Sequence, residues 1–177
     1  MKFNMITDRH NYDNGYIGLV NLDIGELPET IECESYTLHR KSEFHISLVC
    51  AKRIAPLIYP DDEDRGREEI VAHFLRIVKD IPLTDFELLP ELRFVEKDVR
   101  KTLVVMAKVP GIKELFDRLR TEYLGVDIPT QQTHITLYTL QPEAGIGLLS
   151  KEEVDKISRP VKAPEKLKTV LRHPINK

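Results

Sequence analysis

Phe44-His45-Ile46-Ser47-Leu48-Val49 and Thr133-His134-Ile135-Thr136-Leu137-Tyr138 carry one pattern twice: histidine, apolar residue, hydroxyl residue, apolar residue. Side chains of a strand alternate between faces, so each copy puts an imidazole and a hydroxyl side by side on one face. Two such strands brought together make a site with two proton-transfer groups and two hydroxyl donors. The chain has 6 histidines, 16 serines and threonines, and 41% hydrophobic residues. Random placement would then yield the four-residue pattern about 0.1 times. A second copy is informative even for a pattern singled out by inspection.

Around the motifs the chain reads as an alternation of strands and helices. Tyr16 to Leu22 forms a first strand, closed by Gly25 and Pro28, and residues 36–50 form an extended stretch ending in the first motif. Pro56, Pro60 and Asp61-Asp62-Glu63-Asp64 mark a loop. Apolar positions from Ile70 to Val78 then recur at helical spacing, which predicts a helix over about 64–79. Phe86 to Val95 and Thr102 to Val109 predict a strand pair around a turn at Glu96-Lys97-Asp98. Ile112, Leu115, Phe116, Leu119 and Tyr123 predict a helix over about 111–124, with Gly125 near its C-cap. The second motif comes next, as a strand over about 132–140. Gly145 and Gly147 make a loop, and Ser150-Lys151-Glu152-Glu153 has the form of a capping box. Prolines keep the tail irregular, with an edge strand over Lys166–Leu171. The expectation is an α+β fold with mainly antiparallel sheet. It is a single bilobal domain over 1–177, with two pseudo-symmetric lobes, flanking helices and a groove between them that takes one motif from each half.

Composition narrows the function classes. No segment has the length of a membrane span, and the start lacks the apolar stretch of a signal peptide, so a cytoplasmic location is expected. Cys33 and Cys50 lack metal-site spacing and are expected as reduced thiols, Cys50 in the core. The net charge of −3 is uneven. Residues 159–177 hold six basic residues against Glu165 alone, a basic tail that is either solvated or touches a polyanion. The acidic remainder argues against broad binding to long nucleic acid and favours a small or terminal phosphate.

Histidine titrates near neutrality, so one of a pair can act as base and the other as acid. In-line cleavage of a phosphodiester needs both, at the attacking and leaving oxygens. Hydroxyls two residues on can donate to the non-bridging oxygens. This scheme requires no metal or other cofactor. A single such strand is more often a core histidine than a catalytic one, but the matched pair points to a shared site. A zinc site would need a third ligand that no cluster supplies, and no G-x-S-x-G elbow supports a serine hydrolase. Tyr138, at i+4 from His134, is expected on the same face, where it would stack on a base, bond a phosphate oxygen or line the groove rim. Lys41 and Glu43 share the His45 face if the strand is unbroken, and Lys41 is a candidate to offset phosphate charge. Arg93, Arg100 and Lys101 are further candidates that nothing ranks. His10, His39, His73 and His173 lack the pattern, and His73 reads as structural.

The quartet His45, Ser47, His134 and Thr136 resembles the paired signature of the two-histidine (2H) phosphoesterase superfamily, which includes LigT-type RNA ligases and cyclic phosphodiesterases. The resemblance spans about residues 14–140. It implies a bilobal α+β fold with both motifs lining a groove, and metal-independent cleavage of phosphodiesters, typically 2′,3′-cyclic ones on a nucleotide or RNA end. It further implies His45 and His134 as the acid-base pair, the second histidine as base, with Ser47 and Thr136 holding the phosphate. The alternatives are a nucleotide- or phosphate-binding protein without turnover, and RNA end processing or ligation. No obligatory protein partner and no membrane partner is implied.

Overall fold

A computed structural model describes residues 4–142 and 144–168. Its strands are β1 (Asn4–Met5), β2 (His10–Asp13), β3 (Tyr16–Leu19), β4 (Thr30–Cys33), β5 (Tyr36–Arg40), β6 (Ile46–Cys50), β7 (Glu87–Lys97), β8 (Arg100–Lys108), β9 (His134–Thr139) and β10 (Ser158–Val161). Its helices are α1 (Ala51–Ile58), α2 (Glu63–Ile77), α3 (Ile112–Glu122) and α4 (Lys151–Ile157), with a 3-10 turn at Glu165–Leu167. The fold is α+β. Every strand pairing is antiparallel, in the order β1-β2-β3-β6-β9-β8-β7-β10, with the β4–β5 hairpin joined to β9 through β5.

The two motif strands are central neighbours. They meet at one pair, Ile46 opposite Ile135, which is the same position in each motif. Antiparallel pairing at equivalent positions places a local two-fold axis between them. Continuing that register sets His45 across from Thr136 and Ser47 across from His134. A four-stranded half-sheet extends to either side of this narrow seam.

One sheet face is covered by α1, α2 and α3, whose Ile54, Ala55, Ile70, Phe74, Leu115, Phe116 and Leu119 join Ile17, Leu48, Leu103, Val105 and Ile135 in the main core. Asp62 caps α2 by accepting from the Arg65 N–H at 3.1 Å. A Cβ on Gly66 would come within 2.9 Å of Ala55 Cβ, so glycine lets α1 and α2 cross closely. On the opposite face, Ile146, Leu148 and Val154 cover Val95, Val104 and Met106. They carry the segment before α4 across the second half of the sheet. That leaves the motif strands open on this face.

Several expectations change. Residues 51–58 are helical despite Pro56, because Ala51, Ile54 and Ala55 bury one face and the ring forfeits a single intrahelical bond. The extended stretch 36–50 is two strands, broken between Arg40 and Ile46. The β7–β8 turn is Asp98-Val99, sharing only Asp98 with the expected turn at 96–98, because β7 continues through Lys97. The edge strand is β10, paired to β7, where Pro160 is tolerated on the outermost strand. Residues 165–167 form a 3-10 turn instead, and 169–171 lie outside the described residues. Ser150 caps α4 by accepting from the Glu153 N–H, and Glu153 accepts from the Leu149 N–H at 2.8 Å. Among the described residues no helix is long and apolar enough to cross a membrane.

Candidate functional site

His45, Ser47, His134 and Thr136 line one groove of about 430 Å³ on the open sheet face, together with Lys41 and Glu43. The strands supply this geometry directly. Facing cross-strand residues lie about 5 Å apart and diagonal ones about 7–8 Å. The two histidines are a diagonal pair, each directly opposite the other motif's hydroxyl residue, which leaves phosphate-sized room between the imidazoles.

The two imidazoles sit in different surroundings. His45 is exposed, whereas His134 is buried at 5% exposure. His134 Nδ1–H donates to the Gln132 carbonyl at 2.9 Å. Because a carbonyl only accepts, Nδ1 carries the proton and Nε2 holds the lone pair of the neutral ring. Burial lowers the His134 pKa, while the Gln132 and Ile146 carbonyls pull it the other way. The desolvated ring is thus favoured as a neutral base.

Each motif ends in a β-bulge. Opposite β3 the pairs run Gly18–Ser47 and then Ile17–Val49, so Leu48 is the extra residue. Opposite β8 they run Val104–Thr136 and then Leu103–Tyr138, so Leu137 is extra. The bulge reverses parity beyond the hydroxyl, because one added residue swaps the faces of all later positions. This corrects the expectation for Tyr138. Its ring is fully buried in the main core and its hydroxyl donates to the Pro28 carbonyl at 2.9 Å, away from the groove. The Leu137 carbonyl accepts from the Lys41 N–H at 3.0 Å, which anchors Lys41 beside the second motif. Lys41 is buried at 8% exposure and lines the groove although the strand before His45 is broken.

Sequence reasoning missed the far wall. Asn11 and Asp13 on β2 and Tyr16 and Gly18 on β3 line the same groove. Asn14 and Gly15, both at positive φ, join these strands in a two-residue turn. Asn-Gly is the usual signal for such a hairpin, and it stands in the sequence at 14–15. Lys52 also lines the groove, its ammonium 4.4 Å from the centre of the Tyr16 ring. Of the unranked basic candidates only Arg100 lines it, donating to the Gly145 carbonyl at 3.4 Å. Arg93 instead binds Ser158 and Glu91, and Lys101 pairs with Glu96 at 2.8 Å. The loop glycines close the groove: a Cβ on Gly147 would lie 3.1 Å from Tyr16 Oη and one on Gly145 3.9 Å from Thr136 Oγ1.

The remaining histidines have other work. His10 is buried, bonded to Thr7 and the Leu83 carbonyl, and packs edge-on against Phe74. His73 sits beside Glu122 and Tyr123. His39 is on β5, away from the groove lining, and His173 lies outside the described residues. Cys33 and Cys50 are buried free thiols, and burial pushes both pKa values up. In the tail, Arg159 pairs with Glu34 and Glu96, and Lys168 with Glu165. Among the described residues no group of three or more His, Cys, Asp or Glu side chains could hold a metal ion. A second cavity, of about 530 Å³, lies between α1, α3 and the start of α4 and contains no motif residue. Comparisons with protein-family models, curated proteins and solved structures found no match.

Proposed function

We propose that this chain is a phosphodiesterase of the two-histidine type that opens cyclic phosphodiesters, 2′,3′-cyclic nucleotides or cyclic phosphates at RNA ends. The observation that carries the reading is the Ile46–Ile135 pairing, which joins the two His-x-Ser/Thr units in one groove.

The chemistry derives from the surroundings of each group. Neutral His134 takes a proton from water as the water oxygen attacks phosphorus. The bond from phosphorus to the 2′- or 3′-oxygen breaks, and the departing oxygen takes a proton from His45, which the exposed side of the groove leaves accessible to solvent. Ser47 and Thr136 donate to the non-bridging oxygens as negative charge builds there. Lys41 and Arg100 add positive charge along the groove. No step requires a metal. Two buried free thiols fit the reducing cytoplasm, where we place the protein.

The test is a panel of 2′,3′-cyclic nucleotides and cyclic-phosphate RNA ends, with His45→Ala and His134→Ala. Each substitution is expected to lower kcat by about 10²- to 10⁴-fold. A wild-type protein that turns over none of these substrates, with chelator present, refutes the hydrolase reading. Tight nucleotide binding without turnover would favour the binding alternative.

A further inference from the structure

The groove runs on past the motif quartet, and its far end holds groups that the proton transfers at the attacking and leaving oxygens do not use. His134, Ser47, Gly18 and Asn11 stand in one row across β9, β6, β3 and β2 by the strand register. Strands are spaced about 4.8 Å apart, so Ser47 and Asn11 are separated by about 10 Å. Between them lies Gly18, which has no side chain. A Cβ there would come within 2.9 Å of Asn11 Oδ1. Glycine therefore leaves room on the groove floor, into which the Asn11 amide leans from the far end.

Two polar groups wait at the end of this floor. Asn11 is buried at 6% exposure, lines the groove, and its side chain makes no hydrogen bond among the described residues. Asp13, two residues on and on the same face, has neither an ion pair nor a side-chain hydrogen bond among them. An unpartnered carboxylate disfavours an anionic ligand unless the ligand brings donors to it. The Asn11 amide faces the groove with no protein hydrogen bond among the described residues, so its donors and acceptor are open to a ligand.

We infer that this end of the groove is a nucleobase subsite selective for guanine, a reading that rests on the phosphodiesterase proposal for what the base is attached to. Carboxylates only accept, and Asn amides both accept and donate. Guanine presents two adjacent donors, N1–H and N2–H, which suit the Asp13 carboxylate, beside the O6 acceptor, which suits the Asn11 amide. Adenine and cytosine turn a ring-nitrogen acceptor toward the carboxylate, and uracil offers one donor between two acceptors.

The test is calorimetric titration of the full chain with the four nucleoside 2′-monophosphates and with inorganic phosphate. A bidentate base-edge contact discriminates by about 5- to 150-fold. Guanosine 2′-monophosphate is expected to bind tighter than the other three by a factor in that range. Asp13→Asn should abolish the preference and leave phosphate affinity unchanged. Asn11→Ala, an independent variant, should also reduce the preference. Equal binding of all four bases, or an Asp13→Asn loss shared by every nucleotide and by phosphate, overturns the inference. Guanine-selective binding without turnover sinks the hydrolase reading and leaves the subsite standing. Turnover without selectivity does the reverse.

Discussion

Replacing Gly18 by alanine separates stability from activity at the floor of the groove. Glycine inside a strand is less stable than alanine by about 0.5–1 kcal/mol, and Gly18 is outside the left-handed region. The new Cβ would press on Asn11 Oδ1 at 2.9 Å, while the Ile46 carbonyl at 3.6 Å and His45 Cδ2 at 4.0 Å are ordinary contacts. The pressed atom ends a short side chain, which can rotate at a strain of about 0.5–1.5 kcal/mol. The two effects nearly offset, so stability changes by no more than about 1 kcal/mol, or roughly 4 °C in Tm. Activity behaves differently. A substrate crossing the floor is lifted by the methyl group, and a shift of about 1 Å can lower the rate about 10²-fold. Thermal melts together with kcat/KM on 2′,3′-cyclic nucleotides measure both. Wild-type turnover in a folded Gly18→Ala variant would refute the placement of substrate over this floor. A Tm loss above about 10 °C would refute the account of its packing.

Tyr138→Phe should lower stability by about 1–2 kcal/mol through the lost bond to the Pro28 carbonyl and leave kcat/KM unchanged; a selective activity loss would return Tyr138 to the groove. His134 and His10 both have pKa values lowered by burial from the ordinary 6.5. The unfolded chain therefore takes up protons near pH 6.5 that the fold excludes, so stability present above that value is lost as pH falls through the folded values. Tm measured from pH 7.5 to 5 should drop, with a shallower slope in His134→Gln; an unchanged slope would contradict the buried neutral ring. The same depression should keep His134 competent as base below pH 6.5, visible in the acidic limb of the kcat/KM profile. Ser150→Ala removes the α4 cap and should lower stability by about 1 kcal/mol in chemical denaturation, with no effect on turnover.

Local pattern carried the motif strands a long way. Period-two alternation sufficed to aim His45 with Ser47 and His134 with Thr136, because side-chain direction within three residues needs no knowledge of partners. It failed for Tyr138, four residues from His134, because a bulge depends on how β9 pairs with β8 and leaves no mark in alternation. Helix α2 was legible from its apolar stripe, whereas α1 was hidden by Pro56, whose cost there is outweighed by burial of Ile54 and its neighbours. Strand β2 shows no alternation, and β4 alternates over only four residues that follow the Gly25–Pro28 loop. Asn14-Gly15 was the available signal for β2, and with it for Asn11 and Asp13. Strand β10 exists because β7 offers an edge, a tertiary circumstance that Ser158–Val161 alone does not announce.

The paired bulges also limit how such a site can diversify. Beyond each hydroxyl the next two residues, Leu48-Val49 and Leu137-Tyr138, belong to the core. A groove-facing side chain cannot be gained there without opening the interior. Each motif strand thus offers the groove its histidine and its hydroxyl, on either side of a core isoleucine. On the proposed reading, new substrate preferences have to be acquired sideways, at groove-lining positions of the β2–β3 hairpin such as Asn11 and Asp13, whose side chains belong to neither the motifs nor the main core.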